Sequence, residues 1–400
     1  MKTLKVMVVA GARPNFMKIA SILNSIDSHN RLGRSPRIAR ILVHTGQHYG
    51  EQMSNAFFKD LGIPKPDVDL EVGSASHAQQ TAEIMKRFEE VLLKQKPDVL
   101  LVVGDVNSTA ACSLVASKID YTPSDSGRTR PLIAHVEAGL RSFDRSMPEE
   151  INRIVTDALS DFLFITEESA AENLRKEGIA ESKVHWVGNT MVDTLLRHRE
   201  QAAQSTILAR LGLQTVGGGQ PQAYAIVTLH RPSNVDRKET FGAILEALSL
   251  LATKIPVLFP VHPRTINRIR EFHLERYFDF FDEVRAVNRG ASRVQCIPPL
   301  GYLDFLCLMA NARLVLTDSG GIQEETTVLG VPCVTLRENT ERPVTVSSGN
   351  NALAGTRREN IIRLAFEKLD STPLVRLPKY WDGEAGTRIV QILTQQVRPG

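Results

Sequence analysis

The sequence predicts an α/β protein with two Rossmann-like, doubly wound domains. Short apolar runs alternate along the chain with stretches of helical periodicity, a pattern typical of βαβ units and of a parallel sheet. The apolar runs are continuous rather than alternating, as expected for strands that helices cover on both faces. Because one hydrophobic core seldom organises as many as the 400 residues of this chain, two domains are expected.

The first series of elements predicts an N-terminal domain over residues 1–187. Gly11 and Pro14 end the first apolar run too early for a signal peptide, so we interpret that run as a strand. Strands are predicted at residues 6–9, 41–43, 99–103 and 132–136, and helices at residues 15–28, 78–95 and 148–159.

The second series of elements predicts a C-terminal domain over residues 188–379, joined to the first by a linker at residues 187–189. Similar folds suggest that a last helix, near residues 386–396 in the segment 380–400, packs back on the N-terminal domain. Strands are predicted at residues 224–228, 256–260, 314–317 and 333–336.

Composition narrows the classes of function. The chain has 48 Lys and Arg against 45 Asp and Glu, and this net charge of +3 with no long basic block argues against a nucleic-acid partner. No apolar run approaches the roughly 18 residues of a membrane span. The four cysteines form no C-x-x-C pair, which favours buried thiols in a reducing, cytoplasmic environment.

Polar residues follow the predicted strands at their carboxyl ends. Two doubly wound domains leave a cleft between these ends, and ligands bind in such crevices. We therefore expect a binding site formed by the residues after the strands, which include Arg13, Asp105, Glu137, His230, His262 and Ser319.

The most informative segment is residues 317–325, Thr-Asp-Ser-Gly-Gly-Ile-Gln-Glu-Glu, which joins a predicted strand to a helix start. Free backbone N–H groups and the helix dipole favour an anion there, and Gly320 and Gly321 allow a phosphate to approach closely. An acid one turn later can bind the two hydroxyls of a ribose. The segment predicts a nucleotide diphosphate site, although an ordinary helix capped by Asp318 or Ser319 would explain it equally well.

Other candidate residues of the N-terminal domain also have two interpretations. Arg13 with Lys18 suits a phosphate or a sugar oxygen, but could be an ordinary basic helix start. Asp105 is a functional carboxylate or a helix N-cap. Glu137 can approach a ligand at a strand end, or it forms an ion pair with Arg141.

Glu149 is a catalytic candidate, but Ser146 and Glu149 also fit a capping box at a helix start that contains Pro148. His230 and His262 each end a strand, and either could be a structural histidine. No Cys or His cluster has metal-ligand spacing, no G-x-S-x-G motif suggests a hydrolase, and no G-x-G-x-x-G motif indicates NAD. No cofactor is therefore predicted.

Taken together, the motifs resemble those of the non-hydrolysing UDP-N-acetylglucosamine 2-epimerases over nearly the whole chain. Each motif is weak alone, but their order and spacing are specific. They lie at residues 11–14, 45–48, 104–105, 135–141, 148–153, 188–190, 230–231, 260–263, 317–325 and 341–343.

The resemblance implies a glycosyltransferase-B-like fold, a homodimer and no redox cofactor. It implies reversible C2 epimerisation of UDP-GlcNAc to UDP-ManNAc, with UDP eliminated to a 2-acetamidoglucal and then added back, as a step in cell-surface polysaccharide biosynthesis. It places the catalytic groups on Asp105, Glu137, Glu149 and His230. It places UDP binding on Arg13, Lys18, Leu300, Phe305, Ser319, Gly320, Gly321, Glu325 and Arg342, and a second, regulatory UDP-GlcNAc on Gln47, His48 and His262.

Two departures from the family pattern leave the substrate open. Asn15 stands where many members have Glu, and Pro232 and Ser233 stand where many have Arg and Glu. The second departure removes a basic and an acidic group next to His230, at positions that bear on allosteric control and on the identity of the sugar. The alternatives are an epimerase for a UDP-2,3-diacetamido uronic acid, a UDP-sugar glycosyltransferase on the same fold, a catalytically silent UDP-sugar sensor and a hydrolysing epimerase.

Overall fold

The structure is a computed structural model that describes residues 3–46, 60–121, 127–214, 221–288, 290–347, 349–372 and 376–397, without the side chain of Arg13. The chain forms two compact units. Unit 1 comprises Met1–Arg197 with Lys379–Gly400, and unit 2 comprises His198–Pro378. The division falls within a helix, Thr190–Ala203, whereas the sequence suggested residues 187–189.

The sheet of unit 1 is parallel throughout the residues described. Its strands are β1 (Thr3–Ala10), β2 (Arg37–His44), β3 (Val68–Asp69), β4 (Val99–Val103), β5 (Leu132–Val136), β6 (Phe162–Ile165) and β7 (Val184–Trp186). They lie in the order β3-β2-β1-β4-β5-β6-β7. Its helices are α1 (Arg13–Arg31), α2 (His77–Gln95), α3 (Asn107–Lys118), α4 (Pro148–Leu159), α5 (Glu168–Lys176) and α6 (Thr190–Ala203), with a 3-10 turn at Glu181–Lys183.

Helix α2 shows how the sequence forms these elements. The Ser76 side chain caps its first turn by accepting a hydrogen bond from the N–H of Gln79. Ile84, Phe88 and Leu92 then recur at every fourth position and are fully buried against the sheet. Periodicity of this kind predicted the helix.

The sheet of unit 2 is also parallel in the part of the chain described. Its strands are β8 (Ala225–Thr228), β9 (Val257–Pro260), β10 (Phe278–Phe280), β11 (Val294–Ile297), β12 (Leu314–Thr317), β13 (Cys333–Thr335) and β14 (Asn351–Leu353), in the order β10-β11-β9-β8-β12-β13-β14. Its helices are α7 (Ile207–Arg210), α8 (Pro232–Val235), α9 (Lys238–Ala252), α10 (Pro263–Glu271), α11 (Tyr302–Ala310), α12 (Gly320–Leu329), α13 (Pro343–Ser347) and α14 (Arg358–Asp370), with a 3-10 turn at Glu275–Tyr277.

The two parallel sheets confirm the predicted doubly wound fold. Strands β4, β5 and β12 and helix α4 have the bounds that the sequence predicted. The sequence missed strands β3, β6, β7, β10, β11 and β14, which have only two to four residues each. Runs this short carry little periodicity, and of the strands with three or four residues the sequence predicted only β8, β9, β12 and β13.

Each sheet has one point at which the strand order reverses. In unit 1, β1 lies between β2 and β4, and in unit 2, β8 lies between β9 and β12. In doubly wound folds, ligands bind outside the carboxyl ends of the strands at such a switch point. The segments after β1 and β4, and those after β8 and β12, therefore frame a candidate site in each unit.

The C-terminal helix α15 (Ala385–Gln396) belongs to unit 1 and packs against α1. The Asp193 carboxylate accepts the N–H groups of Ala385 at 3.1 Å and Gly386 at 2.8 Å, at the start of α15. Gly188 has a φ of +93°, and a Cβ there would lie 2.0 Å from the carbonyl oxygen of Tyr380. Gly188 is thus a close-packing position beside the returning chain.

No helix within the described ranges is both long enough and apolar enough to cross a bilayer.

Trp381 is the largest fully buried side chain of the returning segment, and its indole Nε1 donates to the carbonyl oxygen of Thr166 at 3.1 Å. We expect Trp381→Ala to lower the free energy of unfolding of unit 1 by about 3–5 kcal/mol, because it leaves a large cavity. Trp381→Phe, which retains most of the ring volume and loses the hydrogen bond, should cost about 1–2 kcal/mol. Urea unfolding measures both, and equal losses would contradict this packing role.

Candidate active site

The turn after β1 is held by Asn15. Its Oδ1 accepts the N–H groups of Gly11 at 3.0 Å and Ala12 at 2.9 Å, and its Nδ2 donates to the carbonyl oxygen of Val103 at 3.0 Å. Asn15 thereby joins the ends of the two central strands. The sequence identified this position only as a departure from the family pattern. The side chain of Arg13 and the whole of Gln47 and His48 lie outside the described residues.

Glu137 forms a buried ion pair with Lys18. Lys18 Nζ lies 2.5 Å from Glu137 Oε2, with 6% and 2% of the two side chains exposed. Glu137 has a φ of +71°, a conformation that non-glycine residues adopt rarely and at a cost in backbone strain. The predicted alternative, an ion pair between Glu137 and Arg141, is wrong, because Arg141 binds other carboxylates.

Arg141 belongs to a separate buried network centred on Asp157. Arg141 Nη2 lies 2.7 Å from Asp157 Oδ2, which also accepts the N–H of Gly139 at 3.0 Å. Asp157 Oδ1 lies 2.6 Å from His135 Nδ1, and His135 Nε2 lies 2.9 Å from the Gly104 carbonyl oxygen. Burial opposes ionisation of Asp157, but the charges and hydrogen bonds of His135 and Arg141 hold its pKa below the ordinary value. This network connects the residue after β4, Gly104, to the end of β5 and the loop that follows it.

Asp105 is bound by Arg153 of helix α4. Arg153 Nη2 lies 2.5 Å from Asp105 Oδ2, and Arg153 Nη1 lies 2.6 Å from Glu150 Oε2. The interpretation of Asp105 as a helix cap is wrong, because Val106 occupies the N-cap of α3. A quarter of the Asp105 side chain is exposed, so it remains accessible to a ligand.

Glu149 is half-buried in the first turn of helix α4. The predicted capping box is wrong: the N-cap is Met147, and Ser146 Oγ donates to Asp144 Oδ1 at 2.6 Å instead. Since Glu149 is not needed as a cap, its carboxylate is available for another role.

The sequence missed the partners on helix α4. Glu150, Arg153 and Asp157 lie three and four positions apart, so they share one face, and all three are buried. This charged stripe at helical spacing is a signal that the sequence contains. The sequence does not show which groups this stripe binds, because Asp105 and His135 lie far from it along the chain.

In unit 2, helix α12 begins directly after Ser319. Ser319 is the N-cap, but its side chain makes no capping hydrogen bond within the described structure, and its own N–H donates to Thr317 Oγ1 at 3.0 Å. The predicted alternative, a helix capped by the side chain of Asp318 or Ser319, is therefore wrong. The start of α12 keeps the geometry of an anion site, at the switch point of the sheet.

Two charged pairs lie beside this helix start. Arg342 Nε lies 2.6 Å from Glu324 Oε1, and Arg337 Nη1 lies 2.8 Å from Glu341 Oε2. A Cβ at Gly320 would fall 2.7 Å from Glu341 Oε1, so any other residue at this position would have to displace this carboxylate.

Glu325 is almost wholly buried. Burial, and next the neighbouring Glu324 carboxylate, raise its pKa to about 8. Near neutral pH the group is therefore mostly protonated, and a neutral carboxyl group can both donate and accept a hydrogen bond. Such a group suits a pair of ribose hydroxyls.

The remaining predicted residues of unit 2 are accessible. Leu300 and Phe305 are half-buried, with Phe305 on α11. His262 is exposed and caps α10, accepting the N–H of Arg264 at 3.4 Å. His230 is also exposed, and its ring Nδ1 lies 3.0 Å from the buried Asp318 carboxylate.

Among the described residues, no group of three or more His, Cys, Asp or Glu side chains could hold a metal ion. Burial raises the pKa of all four cysteine thiols, so none is poised as a thiolate nucleophile.

Comparison with known proteins agrees with the motif pattern. Residues 30–394 match the family model described as UDP-N-acetylglucosamine 2-epimerase. The chain is 41% identical to the UDP-N-acetylglucosamine 2-epimerase of Methanocaldococcus jannaschii, over 98% of this chain and 99% of that protein. It is 38% identical to the UDP-2,3-diacetamido-2,3-dideoxy-D-glucuronate 2-epimerase of Pseudomonas aeruginosa, over 98% of this chain and 100% of that protein.

Among solved structures, the chain is similar to the crystal structure of the M. jannaschii UDP-GlcNAc 2-epimerase in complex with UDP-GlcNAc and UDP. The TM-score is 0.83 at 40% identity, and the match covers 98% of this chain and 100% of that one.

Gly104 leaves room for the Lys18–Glu137 pair: it has a φ of +67°, and a Cβ there would lie 2.7 Å from Lys18 Nζ. We expect Gly104→Ala to lower the free energy of unfolding by more than the roughly 1–2 kcal/mol of backbone strain, because it also displaces the buried ammonium. Gly178→Ala is the matched control, since Gly178 has a φ of +80° with nothing within 4 Å of its Cβ position. Equal losses in denaturant unfolding would contradict the packing of Gly104 against Lys18.

The titration of Glu325 predicts a pH-dependent stability. Its folded pKa of about 8 exceeds the ordinary 4.5, so its stabilising contribution is complete below pH 4.5 and is lost as pH rises through 8. The slope is at most about 1.4 kcal/mol per pH unit. Glu325→Gln removes this titration, so the variant should gain stability relative to the parent protein between pH 5 and pH 8, as measured by urea unfolding. A stability difference independent of pH would refute a raised pKa.

Proposed function

The chain belongs to the UDP-N-acetylglucosamine 2-epimerase family, and we propose that it interconverts UDP-GlcNAc and UDP-ManNAc by inverting C2 of the sugar. UDP leaves C1 as the C2 proton is removed, a 2-acetamidoglucal forms, and UDP adds back with a proton delivered to the opposite face. The proposal rests on the full-length similarity together with the carboxylates that follow the carboxyl ends of the strands of unit 1.

The chemistry explains why carboxylates are required. The C2 proton of the sugar is not acidic, so its removal has to be coupled to departure of a stabilised diphosphate. One carboxylate accepts the proton, another returns a proton, and negative charge stabilises the developing positive charge at C1. The reactive glycal also has to be protected from water until UDP returns.

The single observation that carries the proposal is the Glu137–Lys18 pair. Glu137 is a buried carboxylate after β5, held at a strained φ, and Lys18 places a positive charge 2.5 Å from it. Burying such a pair costs desolvation energy that a packing role alone does not require. Lys18 contacts Glu137 in the described structure, and the family resemblance also places it among the UDP-binding residues. Asp105 and Glu149 supply the other carboxylates.

Unit 2 supplies nucleotide recognition in this proposal. Diphosphate binding falls to the start of α12, at Ser319, Gly320 and Gly321, with Arg342 as a cationic group. Arg13 of unit 1 stays in the proposal as a UDP-binding residue on the family resemblance alone. Glu325 takes the ribose hydroxyls, and Phe305 with the backbone near Leu300 contacts the uracil. His230 acts beside the diphosphate.

A second candidate substrate is a UDP-2,3-diacetamido uronic acid. The 38% identity to the P. aeruginosa enzyme of that name favours it, as does the departure at Pro232 and Ser233. Pro232 begins the short helix α8 where the family pattern has a basic residue. The carboxylate and second acetamido group of that sugar would have to be accommodated by the same residues.

Four further inferences belong to this proposal, and all but the cytoplasmic location, which the cysteine pattern favours, come from the family resemblance. The protein is expected to be a cytoplasmic homodimer whose product supplies cell-surface polysaccharide synthesis. Gln47, His48 and His262 are expected to bind a second, regulatory UDP-GlcNAc. Light scattering tests the oligomer, and a sigmoidal rate against UDP-GlcNAc concentration tests the regulation.

NMR of the purified protein with UDP-GlcNAc in D2O tests the reaction. An epimerase incorporates deuterium at C2 of both sugars without any acceptor, because the proton returned comes from solvent. A glycosyltransferase or a sensor gives no exchange, and a hydrolysing epimerase releases free ManNAc and UDP. Parallel incubation with the diacetamido uronic acid decides between the substrates.

Variants test the residue roles. Asp105→Asn, Glu137→Gln and His230→Ala should each lower kcat by about 10²–10⁴-fold while UDP affinity changes little. Glu172→Gln, on an exposed ion pair with Arg175, is the matched control and should retain full activity. A variant that epimerises at the parental rate removes its residue from the catalytic set.

A further inference from the structure

Asp318 occupies the switch point of unit 2. It follows β12 and has no exposed surface, and its N–H donates to the carbonyl oxygen of Thr228 on β8 at 3.3 Å. The sequence suggested Asp318 only as a cap for α12, a role its carboxylate does not have. A buried carboxylate that does not cap its own helix must be stabilised by other partners.

Those partners are on the loop after β8. Asp318 Oδ2 accepts the N–H of His230 at 3.1 Å, the N–H of Arg231 at 3.0 Å and the amide of Asn234 at 3.2 Å. Asn234 also donates to the Leu336 carbonyl oxygen at 2.9 Å. The carboxylate therefore joins the loop that carries His230 to the turn that precedes the anion site.

The His230 ring completes this set. Its Nδ1 lies 3.0 Å from Asp318 Oδ1, while 58% of the His230 side chain is exposed. Burial opposes ionisation of Asp318, but the charge and hydrogen bond of His230 hold its pKa below the ordinary value. An ionised carboxylate only accepts, so Nδ1 has to carry a proton. Nε2 is then the ring nitrogen left to meet a ligand.

Other charges lie near these two residues. Arg231 Nη2 is 3.5 Å from Glu341 Oε1, and Arg337 binds the other oxygen of Glu341. Burial lowers the pKa of Arg337, and Asp318 is among the groups that oppose that shift. The two arginines thus share Glu341, whereas the side-chain ring in contact with the Asp318 carboxylate is that of His230.

We propose that Asp318 is a positioning residue that holds His230 in the Nδ1–H tautomer and presents Nε2 to the substrate. This inference rests on the proposed function, in which His230 acts beside the diphosphate. With Nδ1 bound to Asp318, the ring exchanges its proton only at Nε2, and the carboxylate balances the charge of a protonated ring. The same carboxylate lies in the turn before Ser319. It therefore also fixes the position of His230 relative to the anion site at the start of α12.

The first test needs no variant of Asp318. The full chain is labelled with 15N-histidine, and the His230 resonances are assigned from their loss in His230→Ala. We expect the Nδ1–H tautomer for neutral His230. The Nε2–H tautomer in the parent protein would overturn the proposal, whether or not the protein epimerises UDP-GlcNAc.

The second test is Asp318→Asn. The amide oxygen can still accept backbone N–H groups, but the amide NH2 now faces Nδ1, so the tautomer of His230 should reverse. We expect kcat to fall about 10²-fold, with KM and UDP affinity within about threefold of the parent. In the His230→Ala background, Asp318→Asn should add no further loss of kcat, because its effect passes through the histidine.

Asp279→Asn is the matched control. Asp279 is on the edge strand β10 of the same sheet, 3.6 Å from Arg293, and the variant should keep the parental kcat and tautomer. A full additional loss in the His230→Ala background, or an unchanged tautomer in Asp318→Asn, would show that Asp318 acts only on the fold. Absence of turnover in the parent protein would refute the proposed function, and the tautomers would still decide the role of Asp318.

Discussion

The structure depends on one constraint: every ionised carboxylate that is buried after a strand of a sheet needs a partner. Glu137 has Lys18, and Asp318 has the His230 loop. An unpaired buried charge would cost several kcal/mol, so each pairing fixes the position of the strand ends that carry it. These contacts join segments that follow different strands of the same sheet.

The same constraint explains where the predictions for individual residues failed. Asp105, Glu149 and Ser319 were each compatible with local capping, and in each case the local interaction is absent from the described structure. Arg153 binds Asp105 from 48 positions along the chain, and Lys18 binds Glu137 from 119 positions away. Capping rules consider only neighbours in sequence, so they cannot anticipate partners that the sheet brings together.

The two units also differ in the kinds of polar group that follow their strands. In unit 1, carboxylates are paired with cations at the switch point, which suits proton transfer at a sugar carbon. In unit 2, a helix start, two glycines and the buried carboxyl group of Glu325 suit a nucleotide. In unit 2, Asp318 both joins the loop after β8 to the turn after β12 and contacts His230, the proposed catalytic histidine.

The sequence by itself determined the two doubly wound domains, the longer strands and helices, and the motifs at the strand ends, because periodicity and turn residues are local properties. Only the tertiary structure decided the partners: that Arg141 binds Asp157 rather than Glu137, and that Asp318 holds His230. Ion pairing follows from proximity in space, and the parallel sheet brings its strand ends together across long stretches of sequence. The short edge strands were also decided there, since pairing with a neighbour, not their own composition, makes them strands.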